Sequence, residues 1–313
     1  MRGSARFLPG LLPALLPALL LAACSRHDAP APQGAAPVAA SAAATAAAAA
    51  APAKTMSIPE PARSVAEQKP LADELMQALF GDGYLAERGS AVIEMDDGEG
   101  HAGWYVVTAR AVRALGDGRT VVVANAAESN EAGQDLSGHV SPGVLNVYLL
   151  RREDAAWTVL ERHERVDELG SSGSIGSVAW AMVGPGRPGF IVSAGGTWQG
   201  STILAGNVYD LTGGVHSLGG FSQHSDNGGA CVPETPECWE VDGIARFVAR
   251  EGGQPGPYWD IQVDYTGKRY TVTETPDGKE VEHLKSSLKE MARYRYDGQA
   301  YKMVAGTDPV PGI

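Results

Sequence analysis

Basic residues are in short supply: 25 lysines and arginines face 37 aspartates and glutamates, for a formal charge of −12. Nucleic acid and anionic lipid surfaces are therefore unsuitable partners, because binding them calls for a concentrated basic surface. Cysteine is scarcer still, with three among 313 residues, and neither a C-x-x-C redox spacing nor a cysteine-rich metal centre can be drawn from them. The apolar run Leu8 to Leu21 falls short of the roughly 20 residues that a bilayer-spanning helix needs and is interrupted by Pro9, Pro13 and Pro17. Two catalytic signatures are missing as well. Gly170-Ser171-Ser172-Gly173-Ser174-Ile175-Gly176 fails the G-x-S-x-G elbow in every register and reads as a flexible loop leading into a strand. His139, His163, His216 and His224 lack the H-E-x-x-H spacing of a metalloprotease, so each reads as a surface or hydrogen-bonded residue.

What is present begins with an address. Arg2 and Arg6 precede the short apolar run, and no acidic residue occurs before Asp28. That is the basic and apolar order of a secretory signal. The run ends in Leu21-Ala22-Ala23-Cys24, which resembles the lipobox of bacterial lipoproteins over residues 1–24 only. The resemblance implies a diacylglycerol on the Cys24 thiol, removal of residues 1–23 and acylation, for example with palmitate, of the new amino terminus. Two or three acyl chains anchor stably where one does not. Position 25 is serine rather than the aspartate associated with inner-membrane retention, which points to the outer membrane, facing the periplasm. Cleavage would take away two basic residues and no acidic one, moving the formal charge from −12 to −14.

From residue 24 to 63 the composition collapses to alanine, proline and small polar residues. No core can be built from these, so the stretch is expected to be a flexible tether. Residues 64–313 lack a second such break and are expected to form a single domain. A helix is predicted at its start: Pro70 suits the first turn, Leu71, Leu75, Ala78 and Leu79 share a face, and Gly81 supplies a stop. Short runs rich in β-branched and aromatic residues follow, from Ala91–Met95 through Tyr270–Thr273, divided by Gly, Pro, Asp and Asn. Hairpins are predicted around Glu153-Asp154 and Asp297-Gly298. The fold class is mainly β, with antiparallel hairpins forming a sandwich, barrel or propeller-like domain. Beside the N-terminal helix, a second helix is suggested over Lys279–Ala292, where Val281, Leu284, Leu288 and Met291 recur at helical spacing.

Few residues advertise chemistry. Cys231 and Cys238 flank a loop holding Pro233 and Pro236, and in an oxidising compartment they read as a disulfide, with a redox pair or free thiols as alternatives. Just before them, His224, Asp226 and Asn227 stand in a glycine-rich turn. Such oxygen donors could take calcium, or could cap turns through their own backbone. Trp198 sits between glycines in Gly195-Gly196-Thr197-Trp198-Gln199-Gly200, as a stacking platform for a sugar or a partner's apolar anchor, or as a core filler beside tight strand crossings. The chain thus reads as a non-enzymatic envelope lipoprotein that binds a protein, a glycan or a cell-wall component. A periplasmic hydrolase with a site assembled from distant residues, and an accessory subunit of an envelope assembly, are the rival readings.

The anchor gives the first prediction. Cys24→Ser removes the only thiol available for lipid transfer at the lipobox, so metabolic labelling with a radioactive fatty acid should mark the wild-type chain alone. Equal labelling of the variant would sink the reading.

Overall fold

The computed structural model describes residues 54–96, 100–250, 252 and 255–311. The expected signal segment, Cys24 and the first part of the expected tether lie outside these residues. Helix α1 (Lys69–Phe80) follows two short strands, β1 (Thr55–Ser57) and β2 (Glu60–Pro61). Next come β3 (Tyr84–Leu85), β4 (Ser90–Asp96), β5 (Ala102–Ala114), β6 (Arg119–Ser129), β7 (Gly143–Glu153) and β8 (Ala156–Leu169). After the loop 170–176 the chain continues as β9 (Ser177–Gly184), β10 (Arg187–Trp198), β11 (Ser201–Asp210), β12 (His216–Asp226), β13 (Cys238–Val248), β14 (Asp260–Glu274), β15 (Glu280–Tyr296) and β16 (Tyr301–Gly306).

From β3 onward each strand pairs antiparallel with the next, except across the loop 170–176, where one sheet ends and another begins. The first sheet holds β3 to β8, and the second runs from β9 to β16, with β2 added beside β9 and β1 beside β13. The sheets stack as a sandwich and do not close into a barrel.

Burial explains the stacking. Along β6, Val122, Ala124 and Ala126 face the helix, where Leu75, Met76 and Leu79 close the first core. The intervening Val121 and Val123 face the second sheet and meet Phe190, Val192 and Tyr209. A strand covered on both faces loses the apolar-polar alternation of a half-exposed one, and β6 accordingly reads as an unbroken buried run from Thr120 to Ala126. The same logic repeats one layer further: Ile191, next to Phe190 on β10, points the other way into a third core with Phe221, Phe247, Val263 and Tyr265. The second sheet therefore bends back so that β9–β11 face β13–β15. The bend falls where β12 and β13 share only three paired residues, His224 to Asp226 against Glu240 to Asp242. At the end of β11 and the start of β14, the fully buried Asp210 and Asp260 are neutralised by Arg187 at 2.7 Å and by a two-pronged contact from Arg295 at 2.8 and 3.0 Å.

The helix forms as read, with Pro70 in its first turn and Gly81 closing it at φ 55°. Both predicted hairpins are present. Lys279–Ala292 is not helical. It belongs to β15, paired with β14 from Glu280 to Tyr294, and its apolar residues at helical spacing divide between the two faces of a strand, leaving Leu284 63 % exposed. The turn Thr275-Pro276-Asp277-Gly278 carried the contrary signal, a P-D-G reversal between two β-rich runs. The tether is also shorter than its composition suggested: residues 55–57 and 60–61 are strands hydrogen-bonded to β13 and β9. Edge positions tolerate the missing N–H of Pro61. Finally, the loop 170–176 is tied down. Buried Asn125 donates to the Gly173 carbonyl at 2.9 Å and accepts from the Ile175 N–H at 2.8 Å, and Ile175 itself is fully buried.

Asn125→Ala would leave both backbone groups without partners in the interior. The expected loss is about 1–3 kcal/mol, seen as a lower denaturant midpoint; an unchanged midpoint would show that the loop is held by other means.

Candidate functional site

Residues 58–65 form a strap that follows β1, which pairs with β13, and contains β2, which pairs with β9. Beside the strap, where the concave face of the second sheet meets β5, lies a cavity of about 630 Å³. Its size falls in the range of about 300–1,000 Å³ usual for small-molecule sites. Ile191 and Phe221 furnish buried apolar wall, and Ser177 and Ser193 add hydroxyls.

Two polar residues reach the cavity through irregularities in the strands. Opposite β6, the register of β5 jumps between Ala109 and Ala111, which leaves Arg110 as the extra residue of a β-bulge. Opposite β11, Leu204 pairs with His224 and Ala205 with Ser222, so that Gln223 is the extra residue on β12. A bulge re-aims the side chain it carries, and here both side chains line the same cavity. Arg110 donates to the Gly176 carbonyl at 3.1 Å. Gln223 Oε1 is buried with no hydrogen-bond partner among the described residues. Arg63, on the strap, supplies a second guanidinium, and no aspartate or glutamate lines the cavity. The nearby Glu60 carboxylate is 3.5 Å from Arg113 instead.

The residues singled out from the sequence lie elsewhere. His224 sits at the bend of the second sheet with both ring nitrogens engaged, Nδ1 on Asp242 at 2.8 Å and Nε2 on Asp226 at 2.9 Å. Burial opposes its positive charge, but the hydrogen bonds to Asp226 and then Asp242 outweigh burial and raise its pKa above the ordinary 6.5. Burial likewise opposes the charge of Asp226, and the bonds from His224 and the Gly228 N–H overcome it and lower its pKa. Asn227 is buried, accepting from the Trp239 N–H at 2.8 Å and donating to the Glu237 carbonyl at 3.2 Å. The oxygens that calcium would recruit are thus bonded within the protein, and among the described residues no group of three or more His, Cys, Asp or Glu is placed to hold a metal ion. An imidazole held at both nitrogens also has no free position for moving a substrate's proton. Cys231 and Cys238 are joined by a disulfide, Cα to Cα 5.7 Å, and Asn227 braces the base of the loop it closes.

Trp198 ends β10 opposite Ser201 and is half-buried. Its ring lies back over Gly196, where a Cβ would come within 2.8 Å of it. Glycine therefore gives the indole its place against the strand. Of the other histidines, His139 bonds the Thr197 carbonyl at 2.8 Å and His163 the Glu161 carboxylate at 2.8 Å. None of these residues belongs to the cavity lining. Sequence reasoning missed the cavity because a bulge residue has no compositional signature; only the single arginine inside the predicted strand Trp104–Val112 hinted at one.

Comparison with known proteins gives no match: no family model, no curated protein and no solved structure aligns significantly with the chain.

The His224 bridge predicts a pH dependence. A histidine whose pKa is raised on folding contributes stability fully present below 6.5 and lost as pH climbs through the raised value. Asp226 contributes above 3.8, and its share is lost as pH falls through its depressed value. Urea midpoints of wild type and His224→Asn should therefore differ most at mildly acidic pH and converge in the alkaline range; a gap independent of pH would contradict the bridge.

Proposed function

We propose that the chain is an envelope lipoprotein, held through acyl chains on Cys24 with its domain in the periplasm, and that the domain binds an envelope component in the cavity beside the 58–65 strap. The observation that supports this reading is the delivery of Arg110 and Gln223 into one cavity by two separate bulges. Bulges disrupt a ladder and leave a residue unpaired. Two of them converging on one hollow suit a site that a ligand fills. The His224 cluster supplies no such opening, since its donors and acceptors answer one another.

Occupancy can be tested without knowing the ligand. Hydrogen exchange of the full chain in native envelope vesicles should be slower at residues 58–65, 177–179 and 221–223 than in the same chain after purification and lipid extraction. Ser177→Trp, at an exposed cavity-lining position, should abolish the difference without unfolding the domain. Identical exchange in both states would count against the proposal.

A further inference from the structure

We infer that the cavity takes a small amphiphilic anion, with its carboxylate or phosphate head at Arg63 and Arg110 and its apolar body against Ile191 and Phe221. The inference rests on the binding reading above and names the chemical class of the ligand.

Charge comes first. In a chain with twelve more acidic than basic residues, this cavity carries two arginines and no carboxylate. The contrast with the buried carboxylates is direct: Asp210 and Asp260 each have an arginine at hydrogen-bond distance, while neither Arg63 nor Arg110 has an acidic partner among the described residues. Guanidinium groups offer several N–H donors in a fork that matches carboxylate and phosphate oxygens. Arg110 uses one nitrogen on the Gly176 carbonyl, and that contact orients the group without neutralising it.

Apolar surface comes second. Ile58 is 65 % and Ile244 71 % exposed, and both line the cavity that Ile191 and Phe221 wall from within at 3 % and 5 %. Exposed apolar residues continuous with a buried apolar wall form a track from solvent to interior that an alkyl or similar body would cover. Phe221 is held in place by Gly206, whose missing side chain makes room for the ring: a Cβ there would stand 2.4 Å from it. Gln223, on the same strand, lines the cavity beside it. Sugars fit less well. The lining has no Trp, Tyr, Asp, Glu or Asn, and Phe221 as its one ring and Gln223 as its one side-chain amide are too few to stack on a sugar and orient several ring hydroxyls.

The test uses photoreactive diazirine analogues of dodecanoate, dodecyl phosphate and dodecanol, added separately to the full chain in envelope vesicles, with crosslinked peptides located by mass spectrometry. The anionic probes should label the segments 191–193 and 221–223, and the alcohol should label them about ten-fold less or weaker still. The stronger of the two anions identifies the head group. Arg63→Gln and the double variant Arg63→Gln/Arg110→Gln should lower anion labelling stepwise towards the alcohol level, with melting temperatures checked to confirm folding. Equal labelling by alcohol and anion, or full labelling of a folded double variant, would overturn the inference. Absence of labelling with exchange protection of the cavity intact would reject the amphiphilic anion and leave the binding reading standing; absence of both would reject the two together.

Discussion

The buried run Val121–Ala126 lies between two hydrophobic layers, so neither of its faces can meet water. That double burial sets the architecture. One face needs a cover, and α1 supplies it through Leu75, Met76 and Leu79; the other requires a second sheet, whose strand β10 must then present Phe190, Val192 and Ala194. Side chains alternate along a strand, so Ile191 is driven to the far side and starts the next core. Each layer thus creates the demand for the following one. The sequence of covers ends only where the second sheet bends back upon itself and its outer strands turn charged faces to solvent, as in the exposed stretch Glu280–Ser287 of β15.

Much of this was legible because it depends on composition over short spans. The longer strands of the first sheet, β4 to β8, the helix ended by Gly81, the hairpins and the cysteine pair all follow from local rules that tertiary packing then reinforced. Strand β12 escaped notice, since His216–Asp226 is rich in glycine and serine and poor in β-branched residues; it is a strand because β11 pairs with it. The segment Lys279–Ala292 misled for the opposite reason: a helical period of four apolar residues gave way to fourteen residues of pairing with β14. Pairing is non-local, and a single sequence does not display it. The same is true of the cavity. Arg63, Arg110 and Gln223 are separated by 47 and 113 positions in the chain, and the strap and two register slips unite them.

The strap shows how chain economy and site formation coincide. Residues 55–61 add hydrogen bonds at two open strand positions, beside β13 and beside β9, and an uncovered strand edge is otherwise a template for aggregation. In covering those edges the strap also walls the cavity and brings Arg63 to it. Strands as short as two and three residues have few contacts of their own, and elements of that kind occupy the low-stability end of a folded domain. The lip of the cavity is therefore its most readily displaced part, while Phe221 and Ile191 belong to the core behind it.

Electrostatics then bear on selectivity. At physiological ionic strength charges on the surface are screened beyond about 8 Å, so the net acidity of the chain does little within the cavity, and the two arginines set the local potential. Both guanidinium groups are solvent-exposed, however, and exposed ion pairs contribute only about 0–1 kcal/mol each. A bare inorganic anion would gain little from them. Binding of useful strength requires that apolar area be removed from water at the same time, at roughly 25 cal/mol per Å², and the walls formed by Ile191 and Phe221 together with Ile58 and Ile244 at the rim provide that area. The charged and apolar parts of the site are each too weak alone, and their adjacency is what would discriminate an amphiphile from a simple anion.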